Sequence, residues 1–409
     1  MDPLSPLPVF ISLAVALAVL FVLVRLFRKQ ADPVKFASID GLRGYLAFFV
    51  FLHHSSIYYF FVRTGRWEWV PSRLYMHFGS SSVFLFFMIT SFLFFTKLID
   101  GRHKPIGWTN FFVSRVLRLY PVYLVVLLIS IIYILFISDF TIKEPLGVIA
   151  GKLGHRFLFS MFGFDYINYV YEVPEFTAGV LWSLRYEWLF YFTLPVIGFL
   201  FFKSRPSILT LIISAGLCFI ITYYCVMIGF TALSFTGGIV AAFLARSKVF
   251  CKFASSWVAS LIVIACFACT IYFFIAADKV IPLTLISVAF ILIACGNSLF
   301  GLLTFSLSRE FGQLSYCIYL LHGVMLYALF HFCMNSEQAA QLPVMQYWLI
   351  IAGTGGILTA LCFFLHHYYE HPALKASPRV SHFLKNALFS ARKKLRLAVK
   401  HQNTSRISS

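Results

Sequence analysis

Eleven apolar runs, separated by short polar or glycine- and proline-bearing segments, dictate what this chain can become. They cover Leu7 to Phe27, Gly44 to Val62, Met76 to Leu98, Leu119 to Ser138, Val180 to Phe202, Ile208 to Ile228, Thr231 to Ala245, Trp257 to Ile275, Ile281 to Phe305, Leu314 to Met334 and Gln346 to Tyr369. Nearly all are long enough to cross a hydrocarbon core of about 30 Å as a helix rising about 1.5 Å per residue; Thr231 to Ala245 is short. A backbone inside lipid must satisfy its own hydrogen bonds. The expectation is therefore an all-α, polytopic membrane bundle of about eleven spans. With 60% apolar and 12% charged residues, the composition excludes an ordinary soluble domain.

The charge is distributed in keeping with a membrane. A net +18 on 409 residues could suggest nucleic acid, but the basic residues lie almost wholly in loops and in the tail after Pro372, where anionic lipid headgroups explain them. With the N-terminus outside, the inner segments hold 25 of the 33 Lys and Arg and the outer loops hold seven. That bias predicts an outside N-terminus and a cytoplasmic C-terminus. Leu7 to Phe27 has its positive charges after the apolar run, not before it, and is long; a retained helix is expected instead of a cleaved signal. The expected divisions are residues 1–35, an N-terminal helix with a basic linker; 36–372, the membrane domain; and 373–409, a basic surface tail. The longest interruption, Asp139 to Gly179, has the length of a functional or disordered loop. The nine cysteines sit mostly inside apolar runs, and Cys266-x-x-Cys269 lacks a second pair at zinc spacing, so no metal site is expected.

Four polar constellations interrupt the apolar pattern. In the first, Arg43 and His54 lie eleven residues apart, which returns to nearly the same helical face and puts His54 roughly 16 Å beyond Arg43, near mid-membrane. A titratable ring at that depth is costly and points to function, here a base for a hydroxyl proton. The plain alternative is a helix-to-helix hydrogen bond; His53, about 100° away, is expected to be structural. The second is Arg115 and Arg118, which share a face. With Arg43 they could clamp phosphate groups, the alternative being anchoring at the membrane surface. The third is Ser183, Glu187 and Tyr191, at i, i+4 spacing. Glu187 would sit about 10 Å and His54 about 14 Å below the outer surface, close enough for the carboxylate to orient the imidazole if the helices are neighbours. An ion pair with Arg185 is the alternative. The fourth is Ser315, Tyr319 and His322 on one face, a stripe that either contacts substrate or simply holds helices together. Glu370 before Pro372 is expected only to end the last helix.

In this order the motifs resemble acyltransferase family 3. Asp40-Gly41-Leu42-Arg43-Gly44 with His54 is similar to the family's opening, Val83 to Phe92 to a degenerate second motif, and Arg115-Val116-Leu117-Arg118 with Tyr120-Pro121 to its arginine pair. Trp182-Ser183-Leu184-Arg185-Tyr186-Glu187, Gly312 to His322, and Glu370-His371-Pro372 resemble the rest. The resemblance spans about Phe36 to Pro372. It implies a ten-span core preceded here by one extra helix, a cytoplasmic acyl-CoA donor, usually acetyl-CoA, and a glycan or lipid-linked glycan acceptor, most often at a bacterial inner membrane. It also implies roles for Arg43, His54, Arg115, Arg118 and Glu187. Thr90-Ser91 and Arg185 depart from its pattern.

The expectation is thus an integral-membrane O-acyltransferase with His54 and Glu187 catalytic. Arg43, Arg115 and Arg118 would hold the coenzyme, and Ser183, Tyr319 and His322 would meet substrate. The rival is a transporter or flippase for a glycan or lipid-linked anion, in which the same charges mark a path; no internal repeat favours it. A lipid-binding scaffold is a weaker third.

Overall fold

The computed structural model describes residues 2–27, 35–101, 106–159, 166–170, 176–202, 206–224, 228–387 and 390, with the side chains of 221–228 and 336 left aside. The expected basic linker at 28–34 and the tail beyond 390 lie outside them. The described residues are helical, and their sole extended pairing is a bridge between Ile167 and Val170. In chain order the helices are α1 Leu7–Phe27, α2 Ala37–Thr64, α3 Arg73–Asp100, α4 Trp108–Ile137, α5 Leu146–Phe157 and α6 Trp182–Phe201. There follow α7 Ile208–Tyr224, α8 Ile228–Leu244, α9 Lys248–Ala254, α10 Trp257–Phe273, α11 Val280–Ala294, α12 Ser306–Gln313, α13 Ser315–Ala328, α14 Ser336–Gln341, α15 Val344–Leu365 and α16 His371–Lys375.

Among the described residues, six helices are long and apolar enough to cross a membrane: α1, α2, α3, α4, α13 with its extension to Cys333, and α15 with its continuation. The pair α8 and α9, bent by 116°, makes at most a seventh, and Ile208–Ile220, α10 and α11 are shorter apolar helices. All eleven expected segments fall on helices, but length and composition alone do not reach eleven crossings. Ile281 to Phe305, read as one run, ends as a helix at Ala294. There Gly296 and Gly301 take left-handed φ values of 120° and 92°, and the Asn297 side chain ties the turn to the Ala254 carbonyl at 2.7 Å. The long interruption also contains a helix the sequence reading lacked: α5, pinned where the Glu144 carboxylate accepts from Lys152 Nζ at 2.7 Å and from the Asn168 backbone N–H at 2.9 Å.

α2 is the axis of the bundle. It is buried on nearly every side from Ser38 to Tyr59 because α3, α12, α13 and α15 all pack against it. Small residues make the approach possible: a Cβ on Gly44 would run into the Phe311 backbone, and one on Gly312 into the Asp40 carbonyl. The far end of α2 stops at Gly65, whose φ of 69° is the left-handed cap geometry, its N–H bonding the Phe61 carbonyl. α3 begins at Ser72, whose side chain caps the Tyr75 N–H, and α3 in turn packs closely on α8. α1 lies along α15, with Ser12, Ala16 and Leu20 fully buried. Its N-terminal approach is tied down by Trp348 Nε1 donating to Pro3 O at 2.9 Å and by the Tyr75 hydroxyl donating to Ser5 O at 3.0 Å.

Candidate active site

Helices α2, α3, α4, α6 and α13 line a partly open cavity of about 90 Å³. Its walls gather residues from all four constellations singled out in the sequence. Arg43 enters from α2, Arg115 and Arg118 from the first turns of α4, Ser183, Glu187 and Tyr191 from one face of α6, and Ser315 and Tyr319 from α13. Each was readable because its spacing put it on one helical side; what spacing left open was that these sides face one another.

The cationic end is tightly organised. Arg43 Nη1 lies 3.9 Å from Asp40 Oδ1, one turn back on α2. The Arg115 guanidinium sits 5.0 Å from the Phe94 ring centroid. The Tyr191 hydroxyl donates to Glu187 Oε1, and both stand within electrostatic reach of Arg115. Glu187 is the one carboxylate among the lining residues, while Asp40 beside Arg43, and Glu370 within electrostatic reach of Arg43 and Arg118, add negative charge from outside the wall. Among the residues lining the cavity, two buried donors take no hydrogen bond, Arg115 Nε and Ser315 Oγ. Such orphans are costly unless a ligand or water meets them.

On the cavity wall, Ser183 Oγ and the Tyr319 hydroxyl lie 2.8 Å apart, joining α6 to α13. One turn on, His322 is fully buried, and its Nε2 lies 3.0 Å from Nδ1 of His54. The Trp67 ring lies nearly parallel to His54 at 6.4 Å between centroids. His54 and His322 therefore form a pair outside the cavity walls, on the side away from the arginines. The expected contact between Glu187 and His54 is absent. Glu187 lies on α6 one turn below Ser183 and is held by Tyr191, whereas the neighbour α13 brings to His54 at its own level is His322. His53 fills the structural place expected of it, its Nδ1 donating to the Tyr75 carbonyl at 2.8 Å against Gly79.

Glu370 does more than end a helix. It closes a π-helical turn, His366–Glu370, and is buried with its Oε2 2.9 Å from His366 Nδ1 and 3.3 Å from Cys317 Sγ. It also reaches Arg118 electrostatically. Sequence spacing missed it because the extra residue of a π turn carries the carboxylate to a side that 3.6-residue periodicity does not give. Thr90 of α3, noted only as a departure from the family pattern, also lines the cavity. Among the described residues no group of three His, Cys, Asp or Glu side chains gathers as a metal site.

The family model described as "Acyltransferase domain" matches residues 36–367. The chain belongs to acyltransferase family 3. No curated protein and no solved structure matches it. As a family-3 membrane acyltransferase it needs an acyl donor and an acceptor, and the match takes in all eight residues assigned in the sequence to catalysis, the coenzyme or substrate.

Proposed function

We propose that this family-3 protein moves an acyl group, acetyl in the simplest case, from acyl-CoA to a hydroxyl of a cell-surface glycan or lipid-linked glycan. The observation that carries the reading is the meeting of Arg43, Arg115 and Arg118 on the wall of one cavity, where Glu187 is the one carboxylate among the lining residues. Clustered guanidinium groups on a cavity wall suit an anionic ligand, and their forks suit the pyrophosphate of a coenzyme. A cavity of about 90 Å³ accepts a small acyl group or a few waters, not a nucleotide. The nucleotide would lie at the arginine end while the pantetheine arm extends toward His54, a rise of roughly 16 Å along α2. Arg115 Nε and Ser315 Oγ, unpartnered, are donors for the polar atoms of that arm.

His54 then acts as general base. Its ring takes the proton of the acceptor hydroxyl, the oxygen attacks the thioester carbonyl carbon, and the tetrahedral intermediate collapses with cleavage of the carbon–sulfur bond. The imidazolium returns its proton to the departing thiolate, giving the ester and free coenzyme A. A positioned base contributes about 10²–10⁴ in rate. Glu187, engaged by Tyr191, sets the charge of the arginine cluster, so its contribution falls on the donor and not on the imidazole. Tyr319, Ser183 and His322 border the route between the two ends. The same reading keeps residues 36–372 as the catalytic unit within eleven spans of a bacterial inner membrane, the N-terminus outside and the basic tail on cytoplasmic lipid headgroups.

The test is coenzyme A release by the purified protein in liposomes given acetyl-CoA and a panel of glycan extracts. Acceptor-dependent release that disappears in His54→Ala and weakens in Arg115→Ala is expected. Full release by a folded His54→Ala protein would overturn the assignment of the base.

A further inference from the structure

His54 Nδ1 lies 3.0 Å from the Val50 carbonyl oxygen, and His322 Nδ1 lies 3.1 Å from the Ile318 carbonyl oxygen. A carbonyl oxygen only accepts, so each Nδ1 carries the proton. A neutral imidazole has one N–H, which leaves both Nε2 atoms bare. The bare Nε2 of His322 is the atom 3.0 Å from His54 Nδ1. The His54 N–H is thereby shared between the Val50 carbonyl and His322, and the His54 Nε2 lone pair is left facing away, without a partner among the described residues. The opposite assignment, with Nε2–H of His322 donating to His54, would set lone pair against lone pair at both carbonyls.

No carboxylate takes part. Glu187 is engaged by Tyr191, and Glu370 by His366 and Cys317. The His322 ring has no room to turn away: it is fully buried, and its helix is pressed at Gly323 against the backbone of Thr177 and Ala178. We propose that His322 is the positioning residue of the base: its Nε2 lone pair holds the His54 ring and receives the Nδ1–H as that ring becomes imidazolium. This is the part an acidic partner plays in a catalytic triad, performed here by a neutral ring. Only the kinetic half of the proposal rests on the acyl-transfer reading.

Two measurements test it. The first is ¹⁵N NMR of ¹⁵N-histidine-labelled protein in liposomes, at a pH where both rings are neutral, with His54→Ala and His322→Gln used for assignment. Nδ1–H on both rings is expected, and a proton on His322 Nε2 overturns the proposal whatever the substrate. The second is kinetics with acetyl-CoA and an acceptor extract. His322→Leu should lower kcat about 10–100-fold, the range of a hydrogen bond to a charged group, with KM for acetyl-CoA within about twofold. His322→Gln, whose Oε1 falls where Nε2 was, should recover most of that loss. An unchanged kcat in His322→Leu, or a folded His322→Gln no better than it, overturns the positioning role. A wild type that never releases coenzyme A, with tautomers as assigned, removes the acyl-transfer reading while upholding the pair.

Discussion

Ser183 Oγ and the Tyr319 hydroxyl, 2.8 Å apart on the cavity wall, stand between its arginines and the histidine pair. An extended pantetheine arm running from one to the other must pass or replace this bond. Tyr319→Phe leaves Ser183 bonded to the Val180 carbonyl and should cost only about 0.6 kcal/mol of stability, as membrane interhelical hydrogen bonds do. Its effect should appear in the KM for acetyl-CoA, measured by coenzyme A release beside the thermal midpoint. A large drop in midpoint with an unchanged KM would assign the bond to the fold alone.

The arginine cluster predicts a donor-specific defect. Arg118→Gln should raise KM for acetyl-CoA roughly tenfold or more, the scale of one charge-assisted hydrogen bond, and Arg115→Gln should do the same. With an acetylated short thiol that lacks the nucleotide and its phosphates, the same variants should lie close to wild type. Equal losses with both donors would mean that the guanidinium groups act elsewhere.

The contact of α2 with α12 predicts a sharp difference among glycines. Gly44→Ala and Gly312→Ala each place a methyl against backbone, and overpacking of that kind costs about 1–3 kcal/mol. Gly147→Ala, in α5 with open space around it, should not lower the unfolding midpoint. Because Gly44 adjoins Arg43, its variant should also lose donor affinity. Thermal unfolding in detergent with acetyl-CoA titration checks both.

The loop clasp gives a pH dependence. The hydrogen bond from Lys152 holds the Glu144 carboxyl below its ordinary 4.5. A carboxyl whose folded pKa is depressed stabilises the fold fully above the unfolded value and loses that contribution as pH falls through the folded one. Limited proteolysis of residues 139–159 should therefore be slow and level above about pH 4.5 and speed up on acidification. Glu144→Gln should be cleaved faster at neutral pH and respond less to acid.

Much of the bundle and of its site was legible in the chain because lipid makes two rules strict. Long apolar runs must be helical, and a charge inside one needs a reason, so Arg43, Arg115, Arg118, Ser183, Glu187 and Tyr319 were all visible before any of them had a neighbour. Which helix faces which was not visible: the pairing of His54 with His322, in place of Glu187, depends on how deeply α13 runs beside α2, and that depth is set by Gly44 and Gly312 meeting backbone. Glu370 stayed hidden behind a π turn. The break after Ala294 was masked because Leu299, Phe300 and Leu302 continue the apolar pattern through a turn made by Gly296, Asn297 and Gly301.

The docking of α1 along α15 has a consequence for how the protein is made. α1 leaves the ribosome more than 300 residues before the helix that covers Ser12, Ala16 and Leu20. At about 5–20 residues per second, roughly 15–60 s of synthesis separate the two. Through that interval α1 stands in the bilayer with the face of Ser12, Ala16 and Leu20 against lipid or a chaperone. Its capture by α15 has to wait until the helices between them have been made.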